Sequence, residues 1–298
     1  MNSISIASAG DSRRSPLKLV IAVPARLGST RLPRKPLALL SGKPLVTRVA
    51  ERVTECSLEL GRQLSMQTDE ILTLVATDSK EVASAVEGTG VRTVMTAAEL
   101  PSGTDRIRAA LANLPADDQK RLQPSTLVIN LQGDEPFFHD QDILTLASAM
   151  FADANLPMGT LAFPQSDPFL FMRTSVVKVV CNQFGNAIYF SRSPLPWPRE
   201  LLGAAEQITE LQKKVQTINS IPFLQHVGVY AFRFAALEQF TSMAPSKLEL
   251  TEGLEQLRAI ENGWSIRVVQ AHEAPFGIDT PDDLLRAEKR FNLQGQQR

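Results

Sequence analysis

Four cations lie within ten positions of the segment AVPARLGSTRLPRKPL, residues 22–37, directly after an apolar run that is typical of a buried strand. Small residues among them let backbone N–H groups approach an anion, while the arginine and lysine side chains supply charge and donors. This combination predicts a cradle for a polyphosphate, although a run of charges can also be a solvated loop. The residues of this phosphate cradle are Arg26, Gly28, Ser29, Thr30, Arg31 and Lys35.

Two familiar phosphate-binding motifs do not occur in the sequence. A Walker loop needs G-x-x-x-x-G-K-[ST], but the only Gly-Lys pair, Gly42-Lys43, is followed by proline. The G-x-G-x-x-G fingerprint of dinucleotide-binding folds is also missing. The phosphate cradle therefore represents another type of site.

A first pair of carboxylates follows a second apolar run, in the segment NLQGDEP at residues 130–136. Asp134 and Glu135 would lie at a strand end, opposite the phosphate cradle. Mg²⁺ prefers such hard oxygen ligands and takes its remaining ligands from phosphate and water. A plain Gly-Asp-Glu-Pro turn is the alternative explanation.

A further carboxylate lies near the C-terminus, in FGIDTP at residues 276–281. Thr280 is placed to cap a helix whose first residue is Pro281, and Asp283 lies where a capping box has its acidic residue. Asp279 precedes the cap and is left without a structural role. We therefore expect Asp279 to be a second metal ligand.

Other polar residues give weaker signals. Arg192 follows a strand-like run and could bind an anionic group, or be an ordinary loop arginine. His226 and Tyr230 are four apart on a predicted strand and so share a face, although a buried structural histidine is the more frequent case. Glu255 and Gln256 would ordinarily face solvent on a helix.

The elements that position these residues alternate regularly in the first half of the chain. Strands alternating with helices indicate parallel crossovers in a doubly wound sheet, whose ligands bind at the carboxyl ends of the strands. SGTDR at residues 102–106 opens one helix, so its free N–H groups could meet ribose, base or phosphate, although capping alone explains the serine and threonine. The predicted strands are 17–25, 70–78, 91–96 and 126–136, and the predicted helices include 42–57 and 79–86.

After Met158 the pattern changes to strand-like runs without a regular helix between them, which indicates an antiparallel region. We interpret residues 200–222 as a polar, partly helical surface insertion without chemistry. Residues 248–263 predict a single helix closed by Gly263. A strand and a final helix at 281–292 complete the chain.

Composition limits the class of protein. With 31 basic and 32 acidic residues, the net charge of −1 gives no general attraction to nucleic acid or an anionic membrane. Cys56 and Cys181 lie in apolar segments and indicate core thiols in a reducing compartment. Residues 1–16 contain no apolar run of signal-peptide length, and no later segment approaches about 18 continuous apolar residues. We expect a cytoplasmic protein with a disordered tail at residues 1–16, and one domain over 17–298.

The ordered set of motifs resembles the 3-deoxy-D-manno-octulosonate (Kdo) cytidylyltransferases, also called CMP-Kdo synthetases, from about residue 18 to 291. The motifs are PARLGSTRLPRKPL, VATD, LPSGTDR, NLQGDEP, VKVV, AIYFSRSPLPW, HVGVYAFR, SKLELTEGLEQLRAIENG and GIDTPDDL. The resemblance implies an α/β, Rossmann-like nucleotidyltransferase fold with a mostly parallel central sheet. It implies a CTP-binding half at 17–157, and a mixed or antiparallel region at 158–280 for sugar binding and dimerisation.

The resemblance also implies an activity and a site. CMP would pass from CTP to Kdo with release of diphosphate, for lipopolysaccharide biosynthesis, in a Mg²⁺-dependent homodimer. Asp134 and Asp279 would hold the metal. The phosphates would meet Arg26, Ser29, Thr30, Arg31 and Lys35; cytosine and ribose would meet Ala25, Thr77, Ser102, Gly103 and Arg106; the sugar side would comprise Gln132, Arg192, His226, Tyr230, Glu255 and Gln256.

Three departures from the family pattern leave details open. Arg34 takes the place of a family glycine, FMRTS replaces an Asn-Pro pair before VKVV, and the insertion at 200–222 is longer than expected. An 8-amino analogue of Kdo or a sialic acid is an alternative substrate, because a single side chain or water can read one substituent. A catalytically silent nucleotide-binding homologue is the alternative from another class.

Overall fold

The computed structural model describes residues 14–28, 31–203 and 208–295. The expected disordered tail at residues 1–16 lies almost wholly outside these ranges, as do Ser29 and Thr30 of the phosphate cradle.

The chain forms an α/β structure in which strands and helices alternate through the first half, as the sequence predicts. The strands are β1 (Leu17–Ala25), β2 (Leu39–Leu40), β3 (Lys43–Pro44), β4 (Ile71–Thr77), β5 (Arg92–Met95), β6 (Leu122–Asn130), β7 (Met158–Gln165), β8 (Lys178–Cys181), β9 (Ala187–Ser191), β10 (Phe223–Arg233) and β11 (Ile266–Gln270). The helices are α1 (Leu45–Gln63), α2 (Lys80–Val86), α3 (Gly103–Ala112), α4 (Ala116–Gln119), α5 (Asp140–Ala152), α6 (Pro168–Met172), α7 (Arg199–Leu202), α8 (Ile208–Thr217), α9 (Phe234–Ser242), α10 (Lys247–Glu252), α11 (Leu257–Glu261) and α12 (Pro281–Gly295).

The main sheet has the strand order β11-β7-β10-β6-β1-β4-β5. β6, β1, β4 and β5 are mutually parallel, whereas β10 runs antiparallel to both β6 and β7. The hairpin β8–β9 branches from β10 and is also antiparallel. The predicted mostly parallel sheet with a mixed region after Met158 is therefore confirmed.

Strand β1 shows why the sheet carries helices on both faces. Leu19, Ile21 and Val23 are fully buried in one apolar cluster with α1, α2 and α5. Val20 and Ala22 point to the opposite face, where they join a second cluster with α3 and α9. Alternate residues of a strand face opposite sides, so a continuous apolar run requires cover on both.

The single helix predicted at residues 248–263 is wrong. The structure has α10 and α11 instead, separated at Gly253, which adopts the left-handed conformation with φ 62° and ψ 43°. Glycine takes this conformation without a steric penalty and commonly ends helices. The break turns Glu255 and Gln256 into the protein, so the alternative of two ordinary solvent-facing helix residues does not apply.

The segment at residues 200–222 is partly helical as predicted, since it includes the end of α7 and all of α8; residues 204–207 lie outside the described ranges. It also packs onto the body of the protein through a small apolar cluster. The buried members of that cluster are Phe171, Leu202, Val215, Ile221 and Phe223.

Among the described residues, no helix is both long and apolar enough to cross a membrane.

Candidate active site

A cavity of about 360 Å³ opens at the carboxyl ends of β1 and β6. The chain continues from β1 towards one edge of the sheet and from β6 towards the other. Open α/β sheets bind ligands at such a switch point. The start of α3 and Asp279, two residues before α12, complete the walls. The predicted residues that line this cavity are Ala25, Arg26, Gly28, Arg31, Lys35, Ser102, Gly103, Arg106, Gln132, Asp134 and Asp279.

Two glycines allow the cavity walls to pack tightly around the end of β1. A Cβ atom on Gly133 would lie 2.9 Å from the carbonyl oxygen of Pro24. A Cβ atom on Gly103 would lie 3.1 Å from Cγ of the same proline. A larger side chain at Gly133 would push the Asp134 loop away from β1. Gly133 is thus a positional requirement of the NLQGDEP motif.

Lys35 joins the two predicted metal ligands. Its ammonium group forms ion pairs with Asp134 and with Oδ1 of Asp279, the latter at 2.9 Å, and Arg31 Nη2 lies 3.0 Å from the same Oδ1. Burial lowers the pKa of Lys35, but the two carboxylates outweigh it and raise this pKa overall. Residues almost 250 positions apart thereby form one charged centre.

The two aspartates fit a divalent cation because their carboxylates already converge on one positive charge. Among the described residues, no group of three or more His, Cys, Asp or Glu side chains could hold a metal. Two hard oxygen ligands suit Mg²⁺, which is usually bound by one or two carboxylates together with phosphate and water. Burial, followed by the charges of Asp134 and Asp279, raises the pKa of Glu135 to about 8.

Arg34, which the sequence leaves unassigned, faces away from the cavity and forms an ion pair with Glu81 of α2. Its backbone is left-handed, with φ 55° and ψ 33°. Non-glycine residues rarely adopt this conformation. The geometry therefore suits the glycine that the family loop has here, and the side chain of Arg34 is paired with Glu81 outside the cavity lining.

Two residues assigned to the nucleotide also have structural roles. Thr77 is fully buried and accepts a hydrogen bond from the backbone N–H of Ser79 at 3.2 Å, and it is not part of the cavity lining. Arg106 lines the cavity, yet its guanidinium donates to Thr96 Oγ1 at 2.7 Å and to the carbonyl of Ala97 at 3.0 Å. Arg106 therefore fixes the loop before α3.

The predicted sugar-side residues form a buried polar network beside the cavity. Tyr230 OH donates to Gln256 Oε1 at 3.0 Å, and Thr104 Oγ1 donates to Glu255 Oε1 at 2.5 Å. The rings of His226 and Tyr230 lie 5.5 Å apart, so the predicted shared face is confirmed despite a bulge in β10. Burial lowers the pKa of His226 to about 3 and raises those of Tyr230 and Glu255.

Gln132 links the two sides. Its Nε2 atom donates to the carbonyl of Gly228 at 3.0 Å and lies 3.5 Å from Asn130 Oδ1, while Asn130 Nδ2 donates to Thr104. Within the described ranges, Glu255 Oε2 and Gln256 Nε2 are buried without a hydrogen-bond partner. Buried polar atoms normally have partners, so these two atoms mark a place for ligand hydroxyl or carboxylate groups.

Arg192 is held by carbonyl groups. Its Nε donates to Glu252 O at 2.7 Å and its Nη1 to Thr174 O at 3.1 Å. Fully buried Lys178 donates to three carbonyls, among them those of Arg173 and Arg192, and burial lowers its pKa to about 8. Lys178 and Arg192 thus hold the segment FMRTS through the backbone carbonyls of Arg173 and Thr174. These contacts do not depend on the side chains of that segment, which differ from the family pattern.

Sequence reasoning did not single out Asn130 and Thr104, which join the polar network beside the cavity, or Lys178, which donates to the carbonyl of Arg192. All three lie within motifs that carry the resemblance, NLQGDEP, LPSGTDR and VKVV, and this is the available signal. Thr104 follows a helix cap and nothing in its spacing distinguishes it from an ordinary first-turn threonine.

Comparison with known proteins places the chain in one family. The family model described as cytidylyltransferase matches residues 20–267. A 3-deoxy-manno-octulosonate cytidylyltransferase from Xylella fastidiosa (strain Temecula1 / ATCC 700964) is 41% identical over 275 residues, which cover 92% of this chain and 98% of the relative. A solved structure of CMP:2-keto-3-deoxy-manno-octonic acid synthetase complexed with CTP is similar with a TM-score of 0.74 and 35% identity, over 93% of this chain and 99% of that one.

Proposed function

The chain belongs to the 3-deoxy-manno-octulosonate cytidylyltransferases, and on that premise we propose that it transfers CMP from CTP to Kdo and releases diphosphate. The product would be the activated sugar for lipopolysaccharide biosynthesis. The observation that carries the proposal is the cavity in which Lys35, Asp134 and Asp279 meet beside two buried, unpartnered polar atoms. A charged wall suits a triphosphate, and the polar network suits a hydroxylated sugar acid.

The reaction needs positioning and charge neutralisation. The anomeric hydroxyl of Kdo attacks the α-phosphorus of CTP, loses its proton to water and forms a new P–O bond. The bond between the α-phosphorus and the bridging oxygen breaks, and this oxygen leaves with the diphosphate. Arg26, Arg31 and Lys35 hold the phosphates at the end of β1. Lys35 stabilises the charge that develops on the departing diphosphate.

Mg²⁺ would be held by Asp134 and Asp279. When bound, it supplies charge that clamps the triphosphate and lowers the pKa of the attacking hydroxyl. Support comes from the convergence of both carboxylates on the single Lys35 ammonium group. Asp279 also pairs with Arg31 at 3.0 Å, which holds this cationic side chain at the cavity wall.

The sugar side would select the acceptor. Tyr230, Gln256 and Glu255 present a set of buried hydrogen-bonding groups, and Gln132 connects them to the nucleotide wall. A site built from buried polar groups discriminates strongly between ligands that satisfy them and ligands that do not. His226, whose Nε2 lies 2.9 Å from Thr160 Oγ1, stays neutral and supports the Tyr230 ring.

A homodimer working in the cytoplasm completes the proposal. Exposed apolar side chains in the region after residue 158, among them Phe169, Phe184 and Ile188, support a partner surface there. The free thiols of Cys56 and Cys181 fit a reducing compartment. Sedimentation of the purified protein tests the dimer.

Diphosphate release from CTP in the presence of Mg²⁺ tests the activity. Kdo, its 8-amino analogue and a sialic acid are supplied as separate acceptors. We expect release with Kdo and the formation of one CMP-sugar per diphosphate. Release only with the 8-amino sugar would reassign the substrate within the same reaction. Tight CTP binding without diphosphate release from any sugar acid would contradict the proposal.

A further inference from the structure

Two phenylalanines lie close in sequence to the carboxylates of Asp134 and Asp279. Phe137 lies three residues after Asp134, and Phe276 lies three residues before Asp279. Their rings meet edge to face, with centroids 5.4 Å apart at an interplanar angle of 86°. The backbone N–H of Ile278 donates to the carbonyl oxygen of Asp134 at 3.0 Å. The loops that carry the two carboxylates are therefore fastened directly to one another.

Arg290 of α12 covers this junction. Its guanidinium carbon lies 4.7 Å from the Phe137 ring centre and 5.5 Å from that of Phe276. The guanidinium also pairs with Glu273, which belongs to the loop leading from β11 to Asp279. A cation above an aromatic face is attracted by the ring electrons. One side chain thus contacts both carboxylate loops from outside the cavity.

Helix α12 also reaches the third charged segment. Leu32, three residues before Lys35, is buried in an apolar cluster separate from the two main clusters of the sheet. The cluster unites the segments that carry Lys35, Asp134 and Asp279 under one face of α12. Its members include Leu32, Ile278 and Ala287, with Phe137, Phe276 and Phe291 packed against them.

We propose that Arg290 is a positioning residue that sets the spacing of Asp134 and Asp279. It does not line the cavity, and it acts by holding Phe137 against Phe276. Small displacements of reacting or coordinating groups cost large factors in rate, so a distant contact that fixes two carboxylates matters to the reaction. The kinetic consequence rests on the proposed function, whereas the structural effect does not.

Arg290→Met tests the inference, with Lys289→Met as the matched control, because Lys289 is an exposed neighbour on the same helix. Hydrogen exchange of the Ile278 amide reports the junction, with amides of central strand β1 as the internal reference. We expect exchange of Ile278 to accelerate about 10-fold in Arg290→Met, and kcat to fall about 10-fold with little change in KM for CTP. Lys289→Met should match the wild type, and Arg290→Lys should recover part of both effects.

Unchanged Ile278 exchange in a folded Arg290→Met protein would overturn the inference. The inference would also be overturned if Ile278 exchange accelerated in Arg290→Met while its kcat stayed at the wild-type value, provided that the wild-type protein transfers CMP. If Arg290→Met does not fold, Glu273→Gln removes the ion pair but keeps the rings, and several-fold faster Ile278 exchange is expected; wild-type exchange there refutes the role. A wild-type protein without CMP transfer would refute the proposed function, while the exchange experiment would still decide the structural effect.

Discussion

The phosphate side of the cavity is built from partly exposed charges, whereas the sugar side is built from buried side chains that hydrogen-bond to one another. Lys35 retains 17% of its side-chain exposure and Asp279 retains 36%. Tyr230 and Gln256, in contrast, are exposed by only 6% and 1%. Charges that must neutralise a phosphate can remain in contact with water, but neutral groups discriminate best when water is excluded.

The two sides also depend on the fold in different ways. The phosphate side consists of residues at the ends of β1 and β6 and before α12. Each of them lies within one of the motifs PARLGSTRLPRKPL, NLQGDEP and GIDTPDDL. The sugar side depends on the end of helix α10 at Gly253 and on the irregular register of β10 after Val227. Changes on the phosphate side are therefore expected to affect the chemical step, and changes on the sugar side to affect acceptor affinity.

The largest expected effect concerns the carboxylates. Asp134→Asn and Asp279→Asn each keep the side-chain shape but remove one charged oxygen ligand, so kcat should fall by about 10³-fold or more. Diphosphate release at saturating substrates measures this. Asp282→Asn, an exposed neighbour of Asp279, is the matched control and should remain active. Activity close to wild type in either first variant would remove that residue from the proposed metal site.

Lys35→Ala is expected to have the next largest effect. If Lys35 acts on the charge that develops as diphosphate leaves, kcat should fall about 100-fold while KM for CTP changes much less. Lys43→Ala removes a lysine that pairs with Glu51 away from the cavity and provides the comparison. A rise in KM at constant kcat would reduce Lys35 to a contact with the bound triphosphate in the ground state.

Tyr230→Phe probes the sugar side by removing one hydroxyl that donates to Gln256. One neutral hydrogen bond corresponds to about a 10-fold change, so KM for Kdo should rise about 10-fold. KM for CTP serves as the internal control and should stay constant. Equal increases for both substrates would show that the two sides are not separable as described.

Sequence alone predicted the phosphate side more fully than the sugar side, and the residues show why. Arg31, Lys35 and Asp134 are charged residues beside strands with unambiguous apolar patterns, so their location follows from parallel topology. Glu255 is assigned to the sugar side by the resemblance alone, because on the single helix predicted for residues 248–263 it would ordinarily face solvent. Only the tertiary structure decides whether a mid-helix glycine continues the helix or ends it.

The smallest expected effect is at Arg34, on the outer surface of the phosphate side. Arg34→Gly loses the pair with Glu81 but relieves the left-handed backbone, so thermal stability should stay near that of the wild type. Arg34→Ala loses the pair and keeps the strain, and should melt roughly 2–4 °C below the glycine variant. Both should retain kcat. A large loss of kcat in the glycine variant would place Arg34 on the phosphates after all.

The position of a bound divalent cation tests the account most directly. Crystals grown with CTP and Mn²⁺ would reveal the metal by anomalous scattering. The account predicts one peak in contact with the carboxylates of Asp134 and Asp279 and with phosphate oxygens of CTP, in the cavity bounded by Arg31 and Lys35. A metal bound elsewhere, with both carboxylates still paired to Lys35, would contradict it.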